Sequence, residues 1–119
     1  MSRLPTLKYE DMSPDQKGLH DEILSGPRTQ IAGPMHTWFL NPSYGSLIQK
    51  VGAFCRYETS LEPRLSELAI IIVARHWNAD VEWFAHSKIA LKNGISQKTL
   101  DDIELHKRPN FTEEDETLI

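Results

Sequence analysis

The sequence contains a single cysteine, Cys55, and its longest apolar run covers only the seven residues from Leu68 to Ala74. One thiol excludes a disulfide within this chain, a CxxC redox pair and a zinc site built from cysteines. Seven apolar residues are far too few to cross a bilayer, and the first residues do not have the charged and apolar pattern of a secretory leader. We therefore expect a cytoplasmic protein that does not bind membranes.

Positive charge is also scarce in this chain. With 13 Lys and Arg against 17 Asp and Glu, the formal charge is −4, and the basic residues form no stripe that could follow a phosphate backbone. Nucleic acid is therefore not an expected partner. The 119 residues, 39% of them hydrophobic, suit a single globular domain over 1–119. Because a domain of this size buries a limited share of its surface, self-association would add to its stability.

Helix start and stop signals recur along the chain and predict an all-α fold. Ser13 precedes Pro14 and has Gln16 as its reciprocal partner, a capping-box pattern that predicts a helix as far as Ser25. The following stretch, 28–40, is irregular and is expected to be loop with at most one short turn. It holds larger residues that suit the wall of a cavity, namely Met35, His36, Trp38 and Phe39.

Two further helices are expected in the middle of the chain. Asn41-Pro42 opens a helix to about Tyr57, and its apolar residues fall on one side at helical spacing. These residues are Leu47, Ile48, Val51, Phe54 and Cys55. Pro63 begins the next helix, in which the run 68–74 is apolar on every face, as in the central helix of a bundle. A buried strand is the competing interpretation of this β-branched run, but helix-compatible flanks and the lack of partner strands favour helix.

The last part of the sequence predicts three more helical segments. A turn at 77–80 leads into a helix that Gly94 closes, and Ser96 caps another helix to about His106. Thr112 begins a third segment with acidic residues in its first turn, yet few residues follow it. We therefore expect the natural chain to continue beyond Ile119.

Three titratable residues, Glu67, Glu82 and His86, lie among apolar residues that are expected to be buried. Glu82 and His86 are four residues apart and share a helix face. If the two helices form an antiparallel hairpin around Asn78, Glu67 lies eleven residues before the turn and His86 eight after it. At about 1.5 Å rise per residue, the two come within about one helical turn of level. Such a cluster is either a satisfied polar network or a site that takes up and releases a proton near neutral pH.

Other roles for the candidate residues are less consistent with the pattern. Glu-x-x-x-His with one more glutamate supplies few ligands for a metal ion, so no metal is expected. Cys55, at an apolar helical position, is typical of a small core residue rather than a nucleophile. Trp38, Trp77 and Trp83 are expected in the core or at subunit contacts, and Trp83 lies close enough to the cluster in sequence to desolvate it.

The segment 67–96, ELAIIIVARHWNADVEWFAHSKIALKNGIS, resembles the core motif of the carboxymuconolactone decarboxylase family, which is related in fold to the alkylhydroperoxidase AhpD. The similarity extends to 3–28 and 57–70. It implies an all-α, AhpD-like helical bundle with a central antiparallel helix hairpin. It also implies a homo-trimer or homo-hexamer, and further helical segments after the end of this sequence.

The resemblance also implies roles for individual residues. In the peroxidase branch of the family, a glutamate, a CxxC pair and a histidine form a proton relay. Glu67 and His86 match the glutamate and the histidine, but Ala79 and Glu82 stand at the two cysteine positions. The E-W-x-x-H pattern formed by Glu82, Trp83 and His86 instead resembles the decarboxylase branch.

The expected function is cofactor-free decarboxylation or isomerisation of a small carboxylated, lactone-like compound, as in the catabolism of aromatic compounds. His86 is expected to be the general acid, with Glu82 fixing its tautomer and charge and Glu67 as a second proton carrier. The residues expected to contact the substrate are Arg75, Trp83, Trp38 and His36, with Arg56 as another cation for its carboxylate. Two other classes stay open, namely reduction of a hydroperoxide through Cys55 or a partner thiol, and a non-catalytic oligomeric protein that binds a small ligand.

Overall fold

The computed structural model describes residues 6–118, and this part of the chain is helical without any β-strand. It contains seven α-helices, which are α1 Pro14–Ser25, α2 Met35–Trp38, α3 Pro42–Ala53, α4 Pro63–His76, α5 Asp80–Lys92, α6 Gln97–Glu104 and α7 Glu113–Leu118. A 3₁₀ turn, Tyr9–Asp11, precedes α1, and a π-helical turn, Phe54–Glu58, continues α3. The all-α prediction is confirmed. The strand interpretation of the run 69–74 is wrong, since this run lies inside α4.

Local hydrogen bonds explain where the helices begin and end. Ser13 Oγ accepts from the backbone N–H of Gln16 at 3.3 Å, and Gln16 Oε1 accepts from the backbone N–H of Ser13 at 2.9 Å, which completes the capping box of α1. Asn41 Oδ1 accepts from the backbone N–H of Tyr44 at 3.1 Å at the start of α3. Gly94, after the end of α5, has a φ of +96°, a left-handed conformation that glycine adopts without strain.

The described residues fall into two compact units, one up to Thr59 and one from Ser60. The core of the N-terminal unit consists of Met12, Leu19, Ile23 and Phe39, with Leu7, Ile31 and Trp38 packed against it. Phe39 is fully buried in this core, and its place in the wall of a cavity stays a prediction. The irregular stretch before α3 contains the short helix α2, which corresponds to the single turn expected there.

The apolar side of α3 faces outward rather than into the core of its unit. Leu47, Val51 and Phe54 are each more than half exposed, and Ile48 is half-buried. Cys55, in the π-helical turn, is exposed as well. The interpretation of Cys55 as a small core residue is therefore wrong.

The inward side of α3 is small and polar, and its buried residues are Gly45, Gln49 and Ala53. Gln49 Nε2 donates to Glu22 Oε1 of α1 at 2.7 Å, and Ser46 Oγ donates to Glu22 Oε2 at 2.8 Å. The hydrogen bond from Gln49 is the main reason that the pKa of Glu22 is lowered, although burial acts in the opposite direction. Polar contacts therefore join α1 to α3.

Gly45 allows α3 to approach α1 and α2 closely. A Cβ atom at this position would lie 2.6 Å from Leu19 Cδ2 and 2.9 Å from both Cβ and the carbonyl oxygen of Trp38. Because one of these neighbours is backbone, it has little freedom to move aside. The packing of α3 therefore depends on a residue without a side chain at position 45.

The C-terminal unit is built on α4 and α5, which form a helix hairpin through the turn at Asn78. Its buried core consists of Leu68, Ile71, Ala90, Ile95, Leu100 and Ile103, with Ile72, Trp83 and Phe111 packed against it. Two residues of the run 68–74, Leu68 and Ile71, are completely buried, but Val73 is exposed, so α4 is not surrounded on every side.

Arg64 of α4 holds the start of α7. Its Nη1 donates to Asp115 Oδ1 at 2.6 Å, and its Nη2 donates to Glu114 Oε2 at 3.0 Å. Asp115 Oδ2 also accepts from the backbone N–H of Thr112 at 3.0 Å. Burial alone would raise the pKa of Asp115, but the hydrogen bonds from Thr112 and Arg64 outweigh it and hold this pKa below its usual value.

The close approach at Gly45 gives a first prediction. Gly45→Ala is expected to lower the free energy of unfolding by about 1–3 kcal/mol, because the new Cβ forces α3 away from Trp38. The matched control is Gly18→Ala in α1, where a Cβ would meet nothing within 4 Å. Gly18→Ala is expected to raise the free energy of unfolding by about 0.5–1 kcal/mol, since alanine stabilises a helix relative to glycine. Urea unfolding of both variants checks the prediction, and equal effects would contradict it.

The second prediction concerns Asp115 and pH. Because the folded-state pKa of Asp115 lies below its ordinary value of 3.8, its contribution to stability is complete above that pH and is lost as the pH falls further. Asp115→Asn is expected to destabilise the protein by about 1–3 kcal/mol at pH 7, with the difference from wild type shrinking below pH 3.8.

Thermal unfolding at pH 7 and at lower pH measures this difference. The control variant is Glu114→Gln, which removes an exposed partner of the same guanidinium. Its effect is expected to stay within about 0.5 kcal/mol, because exposed ion pairs contribute little. A difference between Asp115→Asn and wild type that does not change with pH would contradict the assignment.

Candidate functional site

The candidate site begins with a buried carboxylate on α4. Glu67 is only 5% exposed and lies between Ser66 and Leu68, which are also buried. This helix begins at Pro63, whose ring suits the first helical position, so Glu67 sits in the second turn and faces α5. An ionised carboxylate at this depth is costly unless a hydrogen-bonded partner compensates it. The partner of Glu67 therefore determines how stable this part of the fold is.

That partner is His86 of α5, which is 8% exposed. The distance from His86 Nδ1 to Glu67 Oε2 is 2.7 Å, a short hydrogen bond. When Glu67 is ionised, its carboxylate only accepts hydrogen bonds, and the proton of this bond then lies on Nδ1. When the imidazole is neutral, Nε2 then has the free lone pair. The Glu67 contact therefore fixes both the orientation and the tautomer of the ring.

The other ring nitrogen faces a different carboxylate. His86 Nε2 lies 3.5 Å from Glu82 Oε2, one helical turn earlier in α5. The side chain of Glu82 is 44% exposed, in contrast to the buried pair. The three groups therefore form a row that runs from a buried carboxylate, through an imidazole, to a carboxylate in contact with solvent. The structure thus brings Glu67, Glu82 and His86 together, while their catalytic roles stay predictions.

The arrangement does not resemble a metal centre. A metal ion needs its donor atoms to converge on one point. Here the two carboxylates lie at opposite nitrogens of the ring of His86. Within residues 6–118, no group of three or more His, Cys, Asp and Glu side chains is placed to hold a metal ion.

Two of the expected substrate-contact residues belong to the same unit as this row. Arg75 Nε donates to the backbone oxygen of Glu104 at 2.8 Å, at the end of α6, and its Nη1 donates to Asn78 Oδ1 at 3.4 Å. Arg75 therefore has a structural role that the sequence analysis did not anticipate. Trp83 is half-buried and packs against the core of the unit, as expected for a core tryptophan. For both residues, binding of a substrate stays a prediction.

The other expected contact residues belong to the N-terminal unit. Trp38 packs against the core of that unit, and the guanidinium of Arg28 lies 6.0 Å from the centre of its ring. His36 is half-buried in α2. Arg56 lies over the ring of Tyr57, with 5.3 Å between the guanidinium carbon and the ring centre. A role of these residues in substrate binding also stays a prediction.

Two large apolar residues that come shortly before Glu82 in the sequence are exposed. Val81, directly before Glu82, is exposed, and so is Trp77 in the preceding turn. Trp77 therefore does not lie in the core of this chain, and a subunit contact at Trp77 stays a prediction. An apolar residue in the first turn of a helix is usually buried, so the sequence pattern did not predict the exposure of Val81.

Comparisons of the chain with models of protein families, with curated proteins and with solved structures found no match. In the part of the chain that the structure describes, no helix is long and apolar enough to cross a membrane. The resemblance of the segment 67–96 to the carboxymuconolactone decarboxylase family stays a prediction.

The geometry of the row predicts a specific protonation pattern for His86. Nitrogen NMR at neutral pH is expected to show a proton retained on Nδ1, because the buried Glu67 carboxylate accepts from it at 2.7 Å. Glu67→Gln is expected to change the tautomer or the Nδ1 proton signal, since an amide binds this proton less strongly than a carboxylate. Glu82→Gln, the matched control on the other nitrogen, is expected to leave the Nδ1 signal in place. A proton retained on Nε2 alone in the wild type would contradict the pattern.

Proposed function

We propose that this protein is an enzyme that uses general acid–base catalysis, without a cofactor, to decarboxylate or isomerise a small carboxylated, lactone-like compound. The observation that carries the proposal is the 2.7 Å contact between Glu67 and His86, together with an opposite ring nitrogen that faces a solvent-exposed carboxylate. A histidine with one nitrogen held by a buried carboxylate and the other near solvent has the arrangement needed for proton transfer. The resemblance of the segment 67–96 to the decarboxylase branch supports the same class of reaction.

In this proposal the substrate loses its carboxylate as carbon dioxide. The bond between the carboxylate carbon and its neighbour breaks, and its electron pair passes into the adjacent carbonyl or lactone group as an enolate. His86 then donates its Nε2 proton to the carbon, which restores the carbonyl group. Proton transfer from a positioned side chain contributes about 10²–10⁴-fold to such a step. The overall reaction consumes one proton, which has to return to His86 before the next turnover.

The geometry favours a different division of roles between the two glutamates from the one expected from the sequence. Glu67 contacts Nδ1, so it is proposed as the positioning residue that fixes the tautomer. Glu82 lies 3.5 Å from Nε2 and reaches solvent, so it is proposed as the residue that returns the proton. This assignment exchanges the two roles, and His86 remains the proposed general acid.

The alternative that the row is purely structural predicts a simpler arrangement. In a buried histidine–glutamate pair, the contact between His86 Nδ1 and Glu67 already holds the imidazole in place. A second carboxylate at the remaining nitrogen adds little to stability, because the side chain of Glu82 is 44% exposed to water. Its position beside Nε2 suits a group that returns a proton to the imidazole. This difference favours the enzyme over a non-catalytic ligand-binding protein.

The experiment follows two reactions with one purified sample. The first assay measures carbon dioxide released from carboxymuconolactone, and the second measures consumption of an organic hydroperoxide in the presence of a thiol reductant. His86→Gln is expected to reduce decarboxylation about 10²–10⁴-fold, since it removes the general acid. Glu82→Gln is expected to lower kcat by a smaller factor, because water can replace it as a proton donor.

Two controls separate the alternatives. Cys55→Ser is expected to leave decarboxylation unchanged, whereas a loss of hydroperoxide consumption in this variant would move the chemistry to the thiol. Thermal unfolding of Glu82→Gln is expected to match wild type, because the residue is partly exposed. Full decarboxylation by His86→Gln would contradict the proposal, and so would a Glu82→Gln variant that loses stability without losing turnover.

A further inference from the structure

Large apolar side chains are exposed along the outward side of α3 and at its two ends, and this set is here called the outer stripe. It consists of Leu40, Tyr44, Leu47, Val51 and Phe54, which are between 56% and 67% exposed. Leu40 lies just before the helix and Phe54 just after it. Single exposed apolar residues are ordinary, but five in one row are not.

The spacing along the outer stripe is regular. Successive members are separated by four, three, four and three residues. From Tyr44 to Phe54, where the backbone is helical, the alternation of three and four residues is the pattern of the apolar seam of a coiled coil. Such a seam packs against another helix whose side chains have the same spacing, because each side chain fits into a space between four on the facing helix. The row is therefore complementary to a second copy of itself.

The inner side of α3 makes this pattern more informative. Amphipathic helices normally turn their large apolar residues toward the core. In α3 the buried residues are Gly45, Gln49 and Ala53, and the contact with α1 includes the polar bonds to Glu22. The residues of the outer stripe therefore lie outside the core of their own unit.

Charge along the helix is compatible with a pair of identical copies. Lys50 is the one charged residue in the sequence from Pro42 to Phe54. Its Nζ lies 3.5 Å from Glu22 Oε1 and donates to Ser46 Oγ at 3.0 Å. The positive charge is thus compensated within the same copy, so two stripes can meet without repulsion between like charges.

The exposed area is sufficient for such a contact. At roughly 150–250 Å² for each large side chain and about 60% exposure, the outer stripe leaves on the order of 500 Å² of apolar surface. That area is among the larger patches found on monomeric proteins. Two stripes packed together would bury on the order of 1,000 Å², about the minimum for a specific interface.

We infer that the outer stripe is an interface through which two copies of this chain pair, α3 against α3, about a twofold axis. Both copies contribute the same five side chains, as a twofold contact requires. The inference rests on α3 alone and does not depend on the proposed enzymatic function.

The test measures the mass of the full chain in solution by light scattering after size exclusion, at protein concentrations from about 1 to 100 µM, a range that spans ordinary interface affinities. The wild type is expected to reach twice the chain mass of 13.6 kDa or an even multiple of it. Leu47→Lys places a charge in the middle of the outer stripe and is expected to raise the dissociation constant at least about tenfold.

The matched control is Leu105→Lys, which changes another leucine of similar exposure, 62% against 67%, outside the stripe. It is expected to leave the mass unchanged, and circular dichroism verifies that both variants are folded. Val51→Lys replaces Leu47→Lys if the latter does not fold. A monomeric wild type, an assembly with an odd number of copies, or an assembly that the stripe variants leave intact overturns the inference. A loss of assembly in Leu105→Lys to the same extent overturns it too.

Discussion

The burial of the Glu67 carboxylate is the constraint that organises the C-terminal unit. At 5% exposure it requires a partner that donates a hydrogen bond, and His86 Nδ1 supplies one at 2.7 Å. The partner lies on the next helix, so the hairpin has to fold with the two residues at the same level. Asn78 allows this reversal through a left-handed φ of +51°, a conformation that asparagine tolerates better than most residues. One polar contact thus sets the register of α4 and α5, while the apolar core around it supplies most of the favourable burial.

The parts of this fold that could be predicted from the sequence are those that local chemistry determines. Ser13 and Asn41 cap helices through hydrogen bonds to residues three positions later, so short segments of sequence are enough to predict these caps. The proximity of Glu82 to His86 follows from helical periodicity alone. Predicting the contact between Glu67 and His86 needed one further assumption, that the chain forms a hairpin at Asn78. With that assumption, the helical rise per residue places Glu67 and His86 at about the same height on the two helices.

The parts that could not be predicted depend on which side of a helix finds a partner. The apolar row on α3 indicates burial, but periodicity does not tell whether the same chain or another surface covers it. In this chain, Gly45 allows close approach and Gln49 bonds to Glu22, so the small and polar side is the inner one. The exposure of Cys55 follows from the same reversal. The structural contact of Arg75 could not be predicted for a related reason, since its bond to the backbone oxygen of Glu104 joins residues that are distant in sequence.

Burial, rather than residue type, distinguishes the two glutamates that flank His86. Both are carboxylates in contact with one imidazole, but Glu67 is enclosed by the core and Glu82 reaches water. Glu67, at 5% exposure, is shielded from water, whereas Glu82 can exchange protons with water and lies beside Nε2. In the proposed reaction, protons therefore pass from water to Glu82, then to Nε2, and then to the substrate carbon, while Nδ1 keeps its proton throughout. The direction of this path follows from the depth at which the two helices place their carboxylates.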